Sequence, residues 1–148
     1  MMEQEIYSLG TMQEINGSSY RLYDHVFHVI GGMEPSLDSL KAISALLSPN
    51  FDVFDGVVLN VDFGAVDKFT ALRASGNSNE EAQYWVNLLP ISDLLEYVRG
   101  EEERDAIILL ILGNWNRIIR GLNNNGAVAH VVYGGDADEV YVTVSTLI

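Results

Sequence analysis

Residues 101–122 carry the clearest hydrophobic pattern in the chain and predict one long helix. Their uninterrupted apolar run, 106–112, is followed by apolar residues at the helical i, i+3, i+4 spacing: Trp115, Ile118, Ile119 and Leu122. Acidic residues occupy the first turn and arginines the last, which is the arrangement that the helix dipole favours. Because the run 106–112 is apolar on every side, we expect this half of the helix to be buried all round.

Gly113 supports an alternative to the single helix. A glycine inside a helix costs about 1 kcal/mol relative to alanine. A buried strand over 106–112, a turn at Gly113-Asn114 and a short helix would avoid that cost. A membrane-spanning helix is not expected, because it needs about 20 apolar residues, and this run is shorter and directly follows the acidic segment EEERD.

Strand patterns dominate the beginning of the chain. Asn16-Gly17 is the commonest signal for a two-residue hairpin turn, and it precedes a predicted strand over 19–30 that carries apolar residues on both faces. An amphipathic helix is predicted over 36–47, with its start marked by Pro35 or Ser36.

The middle of the chain is predicted to be mostly helical. A buried strand over 56–62 comes first, and a short helix over 65–74 follows it. Ser78 and Glu81 have the spacing of a capping box, in which each side chain accepts the other residue's backbone N–H. They predict a helix that continues to about Leu89.

Two strands, 127–133 and 140–147, end the chain and predict a hairpin. In the second strand, apolar and polar positions alternate, so one face is expected to be covered and the other to be wetter. The apolar positions are Val140, Val142 and Val144, and the others are Tyr141, Thr143 and Ser145.

The order of these elements predicts an α+β fold. An antiparallel sheet formed by the N- and C-terminal strands is expected to pack on a central helical block that contains the buried helix around 101–122. A chain of 148 residues is expected to form a single globular domain, 1–148.

Composition narrows the class of protein. Hydrophobic residues make up 48% and charged residues 20% of the chain, which is typical of a globular protein. The first residues lack the pattern of a signal peptide, and the chain has no cysteine for a disulfide or a thiolate metal site. We expect a cytoplasmic protein.

Net charge is the strongest compositional signal. Twenty-one acidic residues and eight basic residues give a formal net charge of −13. Such a surface repels the phosphate backbone, so direct binding to nucleic acid is disfavoured. It attracts a basic protein and accelerates the encounter with it. The alternative is that the acidity only keeps the protein soluble.

Two groups of carboxylates are the candidate partner-binding residues. Asp136, Asp138 and Glu139 crowd a glycine-containing loop beside Tyr141, and tyrosine is enriched at protein interfaces. Their spacing lacks the twelve-residue ligand pattern of a calcium-binding EF-hand, and the alternative to a binding role is a polar hairpin turn. The second group, before the strand at 56–62, consists of Asp52 and Asp55.

No catalytic residue, metal site or cofactor is predicted. His25 and His28 would point to opposite faces of their strand, although His28 shares a face with Asp24, and His130 could approach either histidine across a sheet. The nucleophile-elbow pattern G-x-S-x-G and the glycine-rich phosphate-binding patterns do not occur. We therefore predict that the protein is not an enzyme.

These observations favour a small acidic protein-binding module. Its most specific form is an inhibitor or immunity protein that neutralises a basic toxin or nuclease, whose positive cleft the carboxylates would fill in place of phosphate. One alternative is a small metal-dependent hydrolase that uses the histidines and aspartates. Another is a structural homo-oligomer, such as a homodimer, in which the C-terminal hairpin pairs edge to edge with a second copy.

Overall fold

The computed structural model describes residues 13–15, 18–20, 29, 32–94, 100–122, 125–136 and 139–146. This part of the chain combines helices with antiparallel sheets, so the predicted α+β class is confirmed. The chain divides into two compact units, Met1–Ala42 and Ile43–Ile148. That the chain forms a single globular domain stays a prediction.

The unit Met1–Ala42 contains a short hairpin. Strands β1 (Gln13–Ile15) and β2 (Ser18–Tyr20) pair antiparallel, in agreement with the hairpin predicted around Asn16-Gly17. The turn residues themselves, and most of the strand predicted over 19–30, lie outside the described residues.

Helix α1 (Leu37–Leu47) begins in the first unit and ends in the second. Of the two predicted start residues, Pro35 and Ser36, the second caps the first turn, since the Ser36 hydroxyl accepts the Ser39 N–H at 3.1 Å. Leu46 and Leu47 at the end of the helix pack on the core of the second unit.

A hairpin that the sequence analysis did not predict follows in the unit Ile43–Ile148. Strands β3 (Phe51–Phe54) and β4 (Val57–Asn60) are joined by Asp55 and Gly56. Both turn residues have positive φ angles, 51° and 80°, which is the Asp-Gly turn geometry that matches the twist of paired strands. The strand predicted over 56–62 corresponds to β4.

Helices α2 (Ala65–Ala74), α3 (Asn79–Asn87) and α4 (Ile91–Leu94) come next. The predicted capping box of α3 is confirmed. The Ser78 Oγ accepts the Glu81 N–H at 3.1 Å, and the Glu81 Oε2 accepts the Ser78 N–H at 2.9 Å.

A three-stranded antiparallel sheet in the order β5-β7-β6 forms the main sheet of this unit. It contains β5 (Leu89–Pro90) and the predicted C-terminal hairpin, β6 (Ala127–Tyr133) and β7 (Val140–Thr146). Helix α3 ends before the predicted Leu89 because that residue pairs with β7. In the described part of the chain, the strands from the two chain ends form separate sheets, since β5 occupies the edge of β7.

Both faces of β7 are covered. The valines at 140, 142 and 144 are buried, as predicted. The other face was predicted to be wetter, but Thr143 is fully buried there and its hydroxyl donates to the Tyr84 carbonyl at 2.7 Å. The prediction is wrong at this position because helix α3 packs against β7.

Helix α5 (Gly100–Arg120) is continuous through Gly113, so the single helix is confirmed over the strand-turn-helix alternative. Its buried side chains pack into the main core, and they are Ile108, Ile111, Trp115 and Ile119. The Trp115 ring meets the Phe51 ring edge to face at a centroid distance of 5.2 Å. Its Nε1–H donates to the Leu46 carbonyl at 2.7 Å, which fixes the end of α1 on the core.

The apolar run 106–112 is not buried all round, and that prediction is wrong. Leu109 is 69% exposed and Leu110 is 54% exposed. The core and the sheet cover one side of the helix, whereas seven consecutive apolar residues extend around its whole circumference. In the described part of the chain, every helix falls short of the length and hydrophobicity needed to cross a bilayer.

Candidate protein-binding surface

The loop between β6 and β7 carries the first group of predicted contact residues. The Gly134 N–H donates to the Glu139 carbonyl at 2.8 Å, and the Glu139 N–H donates to the Asp136 carbonyl at 3.0 Å. These bonds fix the loop so that Asp136 is exposed and Glu139 is half-buried. Asp138 lies outside the described residues.

Close packing holds the Glu139 side chain over the loop. A Cβ atom at position 134 would lie 2.7 Å from the Glu139 Cβ, which is too close for side chains to pack, so only glycine fits there. Tyr133, at the end of β6, is 60% exposed, whereas Tyr141 is half-buried opposite Val132. The hairpin tip therefore presents an aromatic ring and the Asp136 carboxylate to solvent.

The second predicted group, Asp52 and Asp55, lies on β3 and its turn, and both residues are exposed. The Asp52 Oδ1 accepts the Val53 N–H at 2.8 Å, so this carboxylate already satisfies a backbone donor. Asp55 occupies the first turn position, where its carbonyl accepts the Asn79 Nδ2–H at 3.3 Å. The Asp52 carboxylate and the Asp55 backbone thus each have a local structural partner. Their role in partner binding stays a prediction.

The structure does not gather the two groups into one patch. Asn125 precedes β6, and its Nδ2 donates to the Gly56 carbonyl at 3.1 Å, which places the Asp55 turn near the start of that strand. The loop that contains Asp136 follows the end of the same strand. A strand of seven residues spans about 20 Å. The two acidic groups are therefore separated by the length of β6.

Side-chain amides from two helices bond the outer edges of β4 in the β3–β4 hairpin and of β6 in the β6–β7 hairpin. The Val58 N–H on β4 donates to the Gln83 Oε1 at 2.8 Å, and the Val58 carbonyl accepts the Asn87 Nδ2–H at 2.8 Å. On β6, the Asn116 Oδ1 accepts the Ala129 N–H at 2.8 Å, and its Nδ2 donates to the Ala129 carbonyl at 3.0 Å. A peptide strand cannot add at these positions without displacing a helix side chain, so recognition through surface side chains is favoured.

A shallow groove between α2 and α3 exposes Trp85. The groove has a volume of about 360 Å³ and is lined by Lys68, Ala71, Leu72, Ser75, Trp85 and Val86. Trp85 is 55% exposed, and its ring meets the Tyr84 ring edge to face at 5.2 Å. A tryptophan supported in this way can bury a large area or bind a cation on its π face. We call this feature the Trp85 groove.

Of the three histidines, the structure describes His130. The His130 Nε2 and the Ser145 Oγ lie 2.7 Å apart across the β6–β7 pair, and this hydrogen bond gives the His130 ring a structural partner within the sheet. His25, His28 and Asp24 lie outside the described residues. Within the residues that the structure describes, no group of three or more His, Asp or Glu side chains could hold a metal ion.

Sequence reasoning missed the Trp85 groove because helix α3 inverts the usual pattern. Its buried positions are Ala82, Gln83 and Asn87, so two amides face inward while the tryptophan faces outward. The sequence signal for this orientation is the pair of amides Gln83 and Asn87 at the i, i+4 spacing. Amides at that spacing share one helix face and can bond a strand edge.

No protein-family model, characterised protein or solved structure matches this chain. Its function is therefore inferred from its own residues.

Proposed function

We propose that this chain is a small acidic protein-binding module that captures a basic protein. The observation that carries the proposal is the exposure of its carboxylates. In the unit Ile43–Ile148, Glu139 is half-buried and every other described acidic side chain is exposed. The exposed ones are Asp52, Asp55, Asp62, Asp67, Glu80, Glu81, Asp93, Glu101, Glu102, Glu103, Asp105 and Asp136. With a net charge of −13, such a surface steers a cationic protein toward it.

The most specific form of the proposal is an inhibitor or immunity protein that neutralises a basic toxin or nuclease. Such a partner binds phosphate in a positively charged cleft, and exposed carboxylates can form the same charge-assisted hydrogen bonds with its arginines and lysines. The negative surface disfavours direct contact with nucleic acid. The cytoplasm is the proposed compartment, because a chain without cysteine gains nothing from an oxidising environment.

The exposed carboxylates and the Trp85 groove have different roles in the proposed binding. The exposed carboxylates accelerate association, because charged side chains act over the longest distance. The Trp85 groove prolongs the complex, because a tryptophan that becomes buried on binding contributes much of the affinity in protein interfaces. The amides that occupy the outer edges of β4 and β6 favour contact through side chains over strand addition.

The alternatives have less support. The metal-dependent hydrolase depends on His25 and His28, which lie outside the described residues. Edge-to-edge pairing of the C-terminal hairpin is opposed by Asn116, whose side chain holds both backbone groups of Ala129. Both alternatives stay predictions.

Affinity capture from the native host tests the proposal. The immobilised chain is exposed to a nuclease-treated extract and eluted with increasing salt, and each eluted protein is purified and tested for direct binding. We expect a protein of high isoelectric point that elutes with salt and binds the chain in the absence of nucleic acid. Capture of acidic or neutral proteins alone, with elution insensitive to salt, would contradict the proposal.

Charge reversal at the hairpin tip then locates the contact. The variant Asp136→Lys/Glu139→Lys is compared with Asp62→Lys/Glu101→Lys, which changes the net charge by the same amount at exposed residues outside the tip, α2 and α3. If the tip faces the partner, the tip variant slows association by about tenfold more than its control. If both variants slow association equally, the tip does not contact the partner, although the net charge still attracts it.

A further inference from the structure

Helix α5 presents an exposed apolar stripe on the side away from the core. Leu109 and Leu110 are 69% and 54% exposed, and Ala106 and Gly113 beside them are also exposed. At about 100° per residue, these four positions lie opposite the buried side chains of the same helix. Together the four residues form one contiguous apolar stripe, and contiguous apolar surface of this kind is typical of interaction sites.

Charges of opposite sign flank the apolar stripe. Glu102 is exposed in the first turn of the helix, and Arg117 and Arg120 are exposed in the last. The Arg117 Nη2 donates to the Asn114 Oδ1 at 2.7 Å, which orients the guanidinium and uses only part of its donor capacity. Along one face of the helix the order is therefore negative, apolar, positive.

This order is complementary to itself when two copies of the helix run antiparallel. The register that sets Leu109 against Leu110 of a second copy also sets Ala106 against Gly113 and Glu102 against Arg117. Rotation about a two-fold axis repeats each of these pairs, so each Glu102 meets an arginine and no two like charges face each other within these three pairs. The small residues at 106 and 113 allow the two helices to approach closely.

We propose that α5 is a homodimer interface at which the stripe Glu102–Leu109–Leu110–Arg117 pairs antiparallel with the same stripe of a second copy. Charge complementarity is what selects a second copy as the occupant. A basic partner would match Glu102 but would be repelled by Arg117 and Arg120. A second copy instead places an arginine against each Glu102, although the net charge of −13 on each chain weakens the association.

The dimer is weak and depends on concentration. A helix of 21 residues is about 31 Å long, and one helix pair buries less than the roughly 1,200 Å² at which stable interfaces begin. The net charge of each copy also opposes association. We expect a dissociation constant between about 10 µM and 1 mM in physiological salt, where the Debye length is about 8 Å and the general repulsion is screened.

Sedimentation equilibrium of the full chain at rising concentration tests the dimer. Wild-type chain should show a monomer–dimer equilibrium, and Leu110→Asp should weaken it by about tenfold or more because the axial contact is lost. The charge pairs give a sharper test. Glu102→Arg and Arg117→Glu should each abolish self-association, because each variant brings like charges together in the antiparallel register.

An equimolar mixture of the two charge variants should associate again. The arginine introduced at position 102 of one chain then faces the glutamate introduced at position 117 of the other, and the native Arg117 of the first chain faces the native Glu102 of the second. The matched control, Glu101→Arg, makes the same charge change in the same turn but off the stripe, and it should associate like wild type. Far-UV circular dichroism of each variant checks that the helix is retained.

Three results overturn the proposal. The first is a wild-type chain that stays monomeric to about 1 mM, and the second is charge variants that associate like wild type. The third is single variants that fail to recombine when mixed while keeping their helix content. If the chain is monomeric and Leu110→Asp instead weakens capture of the basic partner, the stripe belongs to that partner.

Discussion

Asn116 offers the most direct test of how the strand edges are protected. Its side-chain amide holds the backbone N–H of Ala129 at 2.8 Å and the carbonyl of the same residue at 3.0 Å. The substitution Asn116→Leu keeps nearly the same shape and volume, and it removes both hydrogen bonds without opening a large cavity. The perturbation therefore isolates the polar contribution of one side chain.

The expected destabilisation follows from the burial of Ala129, which is almost inaccessible to water. A buried backbone group that loses its partner costs about 1–3 kcal/mol, and here two groups on one residue are affected. Part of the cost is offset, because the asparagine amide no longer has to be desolvated. We expect a loss of about 2–4 kcal/mol from a free energy of unfolding that is about 5–15 kcal/mol for proteins of this kind.

Urea unfolding followed by circular dichroism measures this loss. Asn114→Leu is the matched control, because it makes the same change two residues earlier, where the side chain bonds the Leu110 carbonyl within its own helix and the Arg117 guanidinium. The control should cost less than about 1 kcal/mol. If Asn116→Leu costs no more than Asn114→Leu, water or a local shift satisfies Ala129, and the amide does not protect the edge.

Two further changes test the β3–β4 hairpin. Gln83→Leu removes the acceptor of the buried Val58 N–H and the donor to Thr146, so we expect a loss of about 2–4 kcal/mol in urea unfolding; a loss below about 0.5 kcal/mol would show that the bond to β4 is dispensable. Gly56→Ala forces a side chain into a backbone conformation with φ of 80°, and a thermal melt should show a loss of about 1 kcal/mol, whereas an unchanged melting temperature would contradict the turn geometry.

Local patterns in the sequence were sufficient for several elements. The capping pair Ser78 and Glu81 and the strand that begins at Val140 depend on patterns of a few residues, and the structure has both elements. The turn at Asp55-Gly56 belongs to the same class, since Asp-Gly between apolar runs is a strong hairpin signal. Asp55 is interpreted from the sequence only as a surface carboxylate, and β3 is therefore not predicted.

The degree of burial of α5 could have been predicted more closely. The spacing of Ile108, Ile111 and Trp115 defines one helix face, and Leu109 and Leu110 lie off that face. The length of the apolar run suggested burial on every side, but one sheet covers one side of a helix. Angular position along the helix was the better guide than the number of consecutive apolar residues.

Contacts between residues distant in sequence could not be predicted. Gln83 reaches β4, 25 residues earlier, and Asn116 reaches β6, 13 residues later. A single sequence does not show which helix polar group meets which strand edge. For the same reason, the separation of Asp55 from Asp136 by the length of β6 depends on the sheet arrangement and not on any local pattern.

The rate of association between this chain and its captured basic partner, measured at increasing ionic strength, tests the proposed function most directly. If exposed carboxylates steer the encounter, the association rate constant should fall by about tenfold or more between roughly 50 and 500 mM salt, while the dissociation rate constant changes much less. An association rate that is independent of salt would contradict the electrostatic capture of a basic protein.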